Sequence, residues 1–222
     1  MRKWTLENKL LSILFLSTIL ICIYGLNLPL LGLDSSQYAE LSRQMTESGS
    51  YLEIYLDGND YLDKPPLLFW LSSFSFSIFG VSEFAFRFPS FIFSLIAAFG
   101  TFLIGKELYN KRVGIYASLM LLTSIAFFMI NVDVRTDTIL IGAITFAIAK
   151  LIQYKNHKKW IDLILGFFFI GIAMCSKGPL GLMIPLIAIG THLILKKELK
   201  LLLDWKLLVG FAITFITLIP LL

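Results

Sequence analysis

The sequence predicts an all-α integral membrane protein: about seven transmembrane helices, plus two surface helices in the first outer loop. Three observations predict it. Of the 222 residues, 57% are hydrophobic and only 15% are charged, whereas a soluble globular chain carries roughly 25% charged residues. The apolar residues fall in long runs, most of them near the ~20 residues a helix needs to cross a bilayer. The basic residues lie in short connections between those runs, so the net charge of +4 reports topology and gives no reason to expect a nucleic-acid partner.

The first run, about 10–33, follows Arg2, Lys3 and Lys9. A signal peptide has a shorter apolar region and a small-residue cleavage site. This run therefore reads as a retained span with its N-terminus in the cytoplasm. Further spans are expected at about 86–105, 113–131, 138–153, 160–175, 179–195 and 205–222.

The run at about 66–80 is short for a span, and charge decides its placement. If it lies on the surface, fourteen of the nineteen basic residues share the cytoplasmic side, and the outside keeps Arg43, Lys64, Arg87, Arg135 and Lys177. If it crosses, only six are inside. The inward bias of lysine and arginine selects the surface helix, and the C-terminus is then outside. Leu67, Trp70, Leu71, Phe74 and Ile78 recur at helical spacing, with Ser72, Ser73, Ser75 and Ser77 as the polar remainder. That pattern suits a helix lying in the interface, and Pro65-Pro66 suits its start.

A second surface helix is expected at about 35–48. Tyr38, Leu41 and Met45 form its apolar side, Asp34 stands at the N-cap position with Gln37 three residues on, and Gly49 can end it. Asp57-Gly58 and Asn59-Asp60 mark turns between the two surface helices. There is no internal repeat. Cys22 and Cys175 lie in apolar runs and read as packed or lipid-facing thiols, and His157 and His192 have no metal-ligand spacing.

This topology gathers Asp34, Glu40, Arg43, Asp57, Asp60, Asp63, Lys64, Asp133, Arg135, Asp137 and Lys177 on one face. Each has an ordinary structural role open to it. Asp34 can cap a helix; Asp63-Lys64 can be a solvated pair; Asp133, Arg135 and Asp137 can form an ion network at a helix boundary; Lys177 can snorkel to lipid head groups. Their convergence favours a site, because ionisable groups at membrane depth are costly. Lysine is a point-charge partner for phosphate, a carboxylate can accept a proton from an attacking hydroxyl, and two carboxylates can hold a divalent cation beside a leaving phosphate. Together these parts fit glycosyl transfer from a polyprenyl-phosphate sugar. A transporter is disfavoured, since its charged sites would lie near the midplane on broken helices.

Asp34-Ser35-Ser36-Gln37-Tyr38-Ala39-Glu40, Asp63-Lys64-Pro65-Pro66-Leu67, Phe79-Gly80, Glu83, Arg87-Phe88-Pro89-Ser90, Arg135-Thr136-Asp137 and Ser176-Lys177-Gly178-Pro179 resemble the membrane glycosyltransferases of the C-type superfamily. The resemblance is to the bacterial aminoarabinose lipid A transferases and the dolichyl-phosphate-mannose protein mannosyltransferase-like enzymes, over about residues 30–195. It implies catalytic roles for Asp34 and Asp137, with Asp34 as general base or acceptor-orienting group. It also implies donor-phosphate binding by Lys64, Lys177 and Arg135, and a divalent cation at Asp63 and Asp137. The acceptor would be lipid A, a glycan or a protein, and the setting the inner membrane with the active face periplasmic or extracellular. Two departures stand out. Ser35 replaces an acid found in many relatives, and family members are usually more than twice this length. The chain therefore reads as an N-terminal module, which either acts as the enzyme, or is a non-catalytic module that binds polyprenyl phosphate or completes a split enzyme with a separately encoded second half.

Overall fold

A computed structural model describes residues 6–30, 32–56 and 59–221. Arg2, Lys3 and the expected Asp57-Gly58 turn lie outside the described residues.

The chain is a bundle of α-helices. The expected first span is shorter than the apolar run: α1 covers Leu6–Gly25, and residues 26–30 turn away from it. Pro29 lacks the N–H a helix would need, and the next helix begins only after Gly32. The first surface helix is α2, Leu33–Ser48, and it ends where Gly49 takes the left-handed conformation (φ 69°) and donates to the Met45 carbonyl. Its N-cap is Gly32, not Asp34. Asp34 lies inside the first turn, where a carboxylate favours the positive end of the helix dipole. A short hairpin follows, with β1 (Tyr55–Leu56) antiparallel to β2 (Asn59–Asp60), so Asn59 and Asp60 pair with strand residues instead of forming a turn.

The second surface helix, α3 (Leu67–Phe79), begins after Pro66 as expected, with Leu67 buried and Trp70 and Leu71 packed against the core, but its expected apolar and polar sides are mixed. Ser72, Ser73 and Ser75 are buried, while Phe74 and Ile78 are exposed. Water is not the outer solvent of a helix lying against a bilayer, so Phe74 and Ile78 can face outward. The small serines let α3 approach α2 and α4 closely. The Ser73 hydroxyl lies 2.8 Å from that of Thr46 on α2, and Ser77 bonds back to the Ser73 carbonyl.

Three further long helices are α4 (Glu83–Leu108), α7 (Thr136–His157) and α8 (Trp160–Lys177). The span expected at 113–131 is two helices, α5 (Lys111–Thr123) and α6 (Ile125–Val132), bent by 54°. Ser124 makes the break: its hydroxyl bonds to the Leu121 carbonyl and accepts from the Phe127 N–H, capping α6. The last helices are α9 (Leu180–Lys196) and α10 (Lys206–Leu218), joined by a 3-10 turn at Leu199–Leu203. By length and apolarity the described residues hold four spanning helices (α1, α4, α7 and α8), or five with the bent pair as one span. The count of seven further needs α9 and α10, of 17 and 13 residues.

α7 is central, packed between α4 and α8, with α5 on the far side of α4 and α9 and α10 against α8. Glycine sets the closest approaches. A methyl group at Gly100 of α4 would lie 2.9 Å from the Phe146 nitrogen of α7, and one at Gly105 would lie 2.7 Å from the Cα of Gly114 on α5. Because α7 runs one way and α8 returns, the start of α7, the end of α8, and α2 and α3 share one end of the bundle.

Candidate active site

At that end one buried side chain fixes the backbone. Arg87, near the start of α4, is fully buried. Its Nε donates to the Val132 carbonyl at 2.9 Å, Nη1 to those of Leu26 (3.1 Å) and Leu28, and Nη2 to that of Pro29 at 3.1 Å. The fork of guanidinium donors thus ties the strand of chain before α2 to the end of α6. It sets the positions of two acids, Asp34 just beyond the first segment and Asp133 just beyond the second. Sequence reading placed Arg87 among the outer charges and missed this role. The available signal was an arginine within an otherwise apolar helical run.

Arg135 connects those two acids. Its Nε donates to Asp133 Oδ2 at 2.9 Å, and Nη1 lies 3.5 Å from Asp34 Oδ2. The hydrogen bond to Asp133 holds the guanidinium firmly charged. Among the described residues Asp133 Oδ1 is buried without a hydrogen-bond partner, and it lies against Gly32, where even a Cβ would collide with it. Asp34 itself is half exposed and so open to a ligand. Arg135, expected on the donor phosphate, has its charge shared between two carboxylates.

Around Asp34 lies a tyrosine pair absent from the sequence-derived site. Tyr38, one turn along α2, and Tyr61, beyond the hairpin, both lean on the ring of Phe69 from α3, with centroids 5.6 and 5.8 Å away. Burial, then the charges of Asp34 and Asp63, push the Tyr38 hydroxyl pKa up. Tyr61 is raised by burial first, then by Tyr38 and Asp63. Both therefore keep their protons as hydrogen-bond donors at neutral pH. Tyr38 was read only as part of an apolar face, yet its polar tip sits among the acids.

Lys64 lies 3.6 Å from Asp63, and the lysine is the less exposed of the two. It lines an open cavity of about 600 Å³ with Tyr61, Pro66 and Trp70. The Trp70 indole donates to the Tyr51 carbonyl at 2.6 Å, pinning the loop over α3. Asp137, in the first turn of α7, contacts Lys177 at the end of α8, and each is about one-third exposed. The Ser176 hydroxyl donates to the Thr136 carbonyl at 2.8 Å and locks the two helix ends together.

The structure thus brings Asp34, Asp133 and Arg135 together, pairs Asp63 with Lys64, and pairs Asp137 with Lys177. Among the described residues, no group of three or more His, Cys, Asp or Glu side chains is placed to hold a metal.

The family model described as dolichyl-phosphate-mannose-protein mannosyltransferase matches residues 63–222. The chain belongs to this family. Among curated relatives, an undecaprenyl phosphate-alpha-4-amino-4-deoxy-L-arabinose arabinosyl transferase of Wigglesworthia glossinidia brevipalpis is 32% identical over 170 residues, covering 74% of this chain and 30% of that protein. An uncharacterized protein of Aquifex aeolicus is 29% identical over 195 residues, covering 85% of this chain and 44% of the relative. The family fold is also seen in crystal structures of ArnT from Cupriavidus metallidurans. The apo form matches with a TM-score of 0.88 at 18% identity, over 98% of this chain and 42% of that one. The form bound to undecaprenyl phosphate matches with a TM-score of 0.86 at 20% identity, over 95% and 40%. The chain therefore spans less than half the length of these relatives.

Proposed function

We propose that this chain forms the donor-binding module of a glycosyltransferase that moves a sugar from a polyprenyl-phosphate monosaccharide to a hydroxyl of lipid A, another glycan or a protein. The observation that carries the reading is the grouping of Asp34 and Asp63 around Tyr38 and Tyr61, with Lys64 alongside, in a chain of this family. The isoprenoid lies against the helices and the sugar phosphate sits at the bundle end. Lys64 and Lys177 draw off the negative charge that grows on the departing phosphate. Asp34 accepts the proton of the attacking hydroxyl, which approaches the anomeric carbon opposite the phosphate and inverts it. The Tyr38 and Tyr61 hydroxyls, held protonated, donate hydrogen bonds to the sugar or phosphate oxygens. Asp137 orients Lys177. The site faces the periplasm or extracellular side of the inner membrane, with the N-terminus cytoplasmic.

A second reading is favoured by one observation, the 30% share of the aminoarabinosyl transferase that this chain covers. On it, the chain binds polyprenyl phosphate without turnover, or completes an active site with a separately encoded second half. Sugar transfer in reconstituted membranes separates the two readings. Transfer by the chain alone that is abolished in Asp34→Asn and Lys64→Ala supports the enzyme. Retention of undecaprenyl phosphate without transfer supports the binding module. Near-normal transfer by both variants contradicts the assigned roles.

A further inference from the structure

The end of the bundle away from Asp34 carries a second concentration of charge. α7 closes there at Lys158, α8 opens at Trp160 after Lys159, and the connection from α9 to α10 runs through Lys196, Lys197, Lys200 and Lys206. The carboxylates of this end are already engaged. Asp162 is bound to Lys150 at 3.0 Å, Glu198 to Lys155 at 2.8 Å, and Asp204 accepts from the Tyr154 hydroxyl at 2.6 Å. Glu107 accepts from Gln153 and Asn156 and faces His157 at 3.2 Å. Among the described residues, none of those six lysines forms an ion pair.

Two of the six hold an unusual backbone conformation. Lys158 and Lys197 have φ of 56° and 57°, the left-handed helix-ending position where glycine is usual. An apolar ridge runs beside them: Leu202, Leu203 and Trp205 are exposed, Leu203 by 86%. Trp205 meets Trp160 edge-on at 5.8 Å, and Lys206 lies 5.0 Å above the Trp160 ring. Tryptophans mark the depth of lipid head groups. The Tyr154–Asp204 bond docks this ridge on α7, so ridge and lysines face the same layer.

We propose that this corner is a binding site for anionic phospholipid, with Leu202, Leu203 and Trp205 among the acyl chains and Lys158, Lys159, Lys196, Lys197, Lys200 and Lys206 around the head-group phosphates. A soluble acidic partner would leave the leucine ridge in water, whereas a leaflet surface satisfies both halves. Each lysine near an anionic surface strengthens attachment several-fold.

Native mass spectrometry of the full chain in detergent tests it, with phosphatidylglycerol and phosphatidylcholine offered at equal concentration. Phosphatidylglycerol retention should exceed that of phosphatidylcholine by about tenfold or more and fall with added salt. The combined variant K196Q/K197Q/K200Q/K206Q should lose the preference, and the arginine version of the same four should keep it. Circular dichroism checks that both are folded, and the singles K197Q and K200Q serve if the combined variant is not. Equal retention of the two lipids by the wild type, or an undiminished preference in a folded glutamine variant, would overturn the proposal.

Discussion

Arg87 shows how much a single side chain holds at this site. It satisfies four carbonyls from two chain segments, and each of those carbonyls, left buried without a donor, costs about 1–3 kcal/mol. Arg87→Met should therefore lower stability by about 3 kcal/mol or more, read as a fall in the thermal unfolding midpoint in detergent. Arg87→Lys should recover only part, because an ammonium cannot reproduce the fork. The Asp34→Asn variant should behave differently. Asp34 is half exposed, and its ion pair to Arg135 is long at 3.5 Å, so folding should be nearly unchanged while transfer falls ~10²–10⁴-fold. Glu40 gives a pH signature. Hydrogen bonds from Arg43 and Gln44 lower its carboxyl to about 2. A depressed carboxylate stabilises the fold fully above its unfolded value of 4.5 and loses that contribution as pH falls toward 2. Glu40→Gln should flatten the acid limb of a pH–stability curve between those values. The acids and lysines were legible in the sequence because their polarity breaks apolar runs. Arg87 and Tyr38 were not. Arg87 was taken for a surface charge, and Tyr38, rightly read as buried, gave no sign of its hydroxyl; only tertiary contacts reveal the carbonyl clamp and the hydroxyl near Asp34.

At the scale of elements, α3 makes the sharpest case. Its periodicity was legible, but its orientation only in part: Leu67, Trp70 and Leu71 turn inward as expected, whereas Ser72, Ser73 and Ser75 are also buried, because a serine stripe looks solvent-facing only if the solvent is water. With Ser72 fully buried and Phe74 64% exposed, Ser72→Leu should overpack the contact with α2 and α4 and cost about 1–3 kcal/mol. Phe74→Leu should be nearly silent in the same unfolding measurement. The opposite order would place Ser72 outward and Phe74 inward, as the sequence alone suggests. The break between α5 and α6 was hidden for a related reason. Thr123-Ser124 barely lowers the apolarity of the run, yet the Ser124 hydroxyl bonds on both sides of the bend. The ends of α4, α7, α8 and α9 came within a few residues of expectation, since loops bearing lysine, asparagine, glycine and proline bound them.

The molecule as a whole is polarised along the bundle. Acids and lysines of the candidate site collect where α7 starts and α8 ends, while six lysines that form no ion pair among the described residues collect at the other end with Trp160 and Trp205. The charge distribution in the sequence anticipated this division because lysine and arginine follow membrane topology. It did not anticipate which acids meet which bases, because Asp34–Arg135 and Asp137–Lys177 are separated by 101 and 40 positions and only the packing of α2, α7 and α8 brings them together. The most direct test places single cysteines at 34 and 137 in a Cys22→Ala/Cys175→Ala background and labels them with a membrane-impermeant maleimide in sealed, oriented vesicles. The account predicts that both positions label from the same side, and that prior binding of undecaprenyl phosphate slows both. Labelling of 34 and 137 from opposite sides of the bilayer would contradict it.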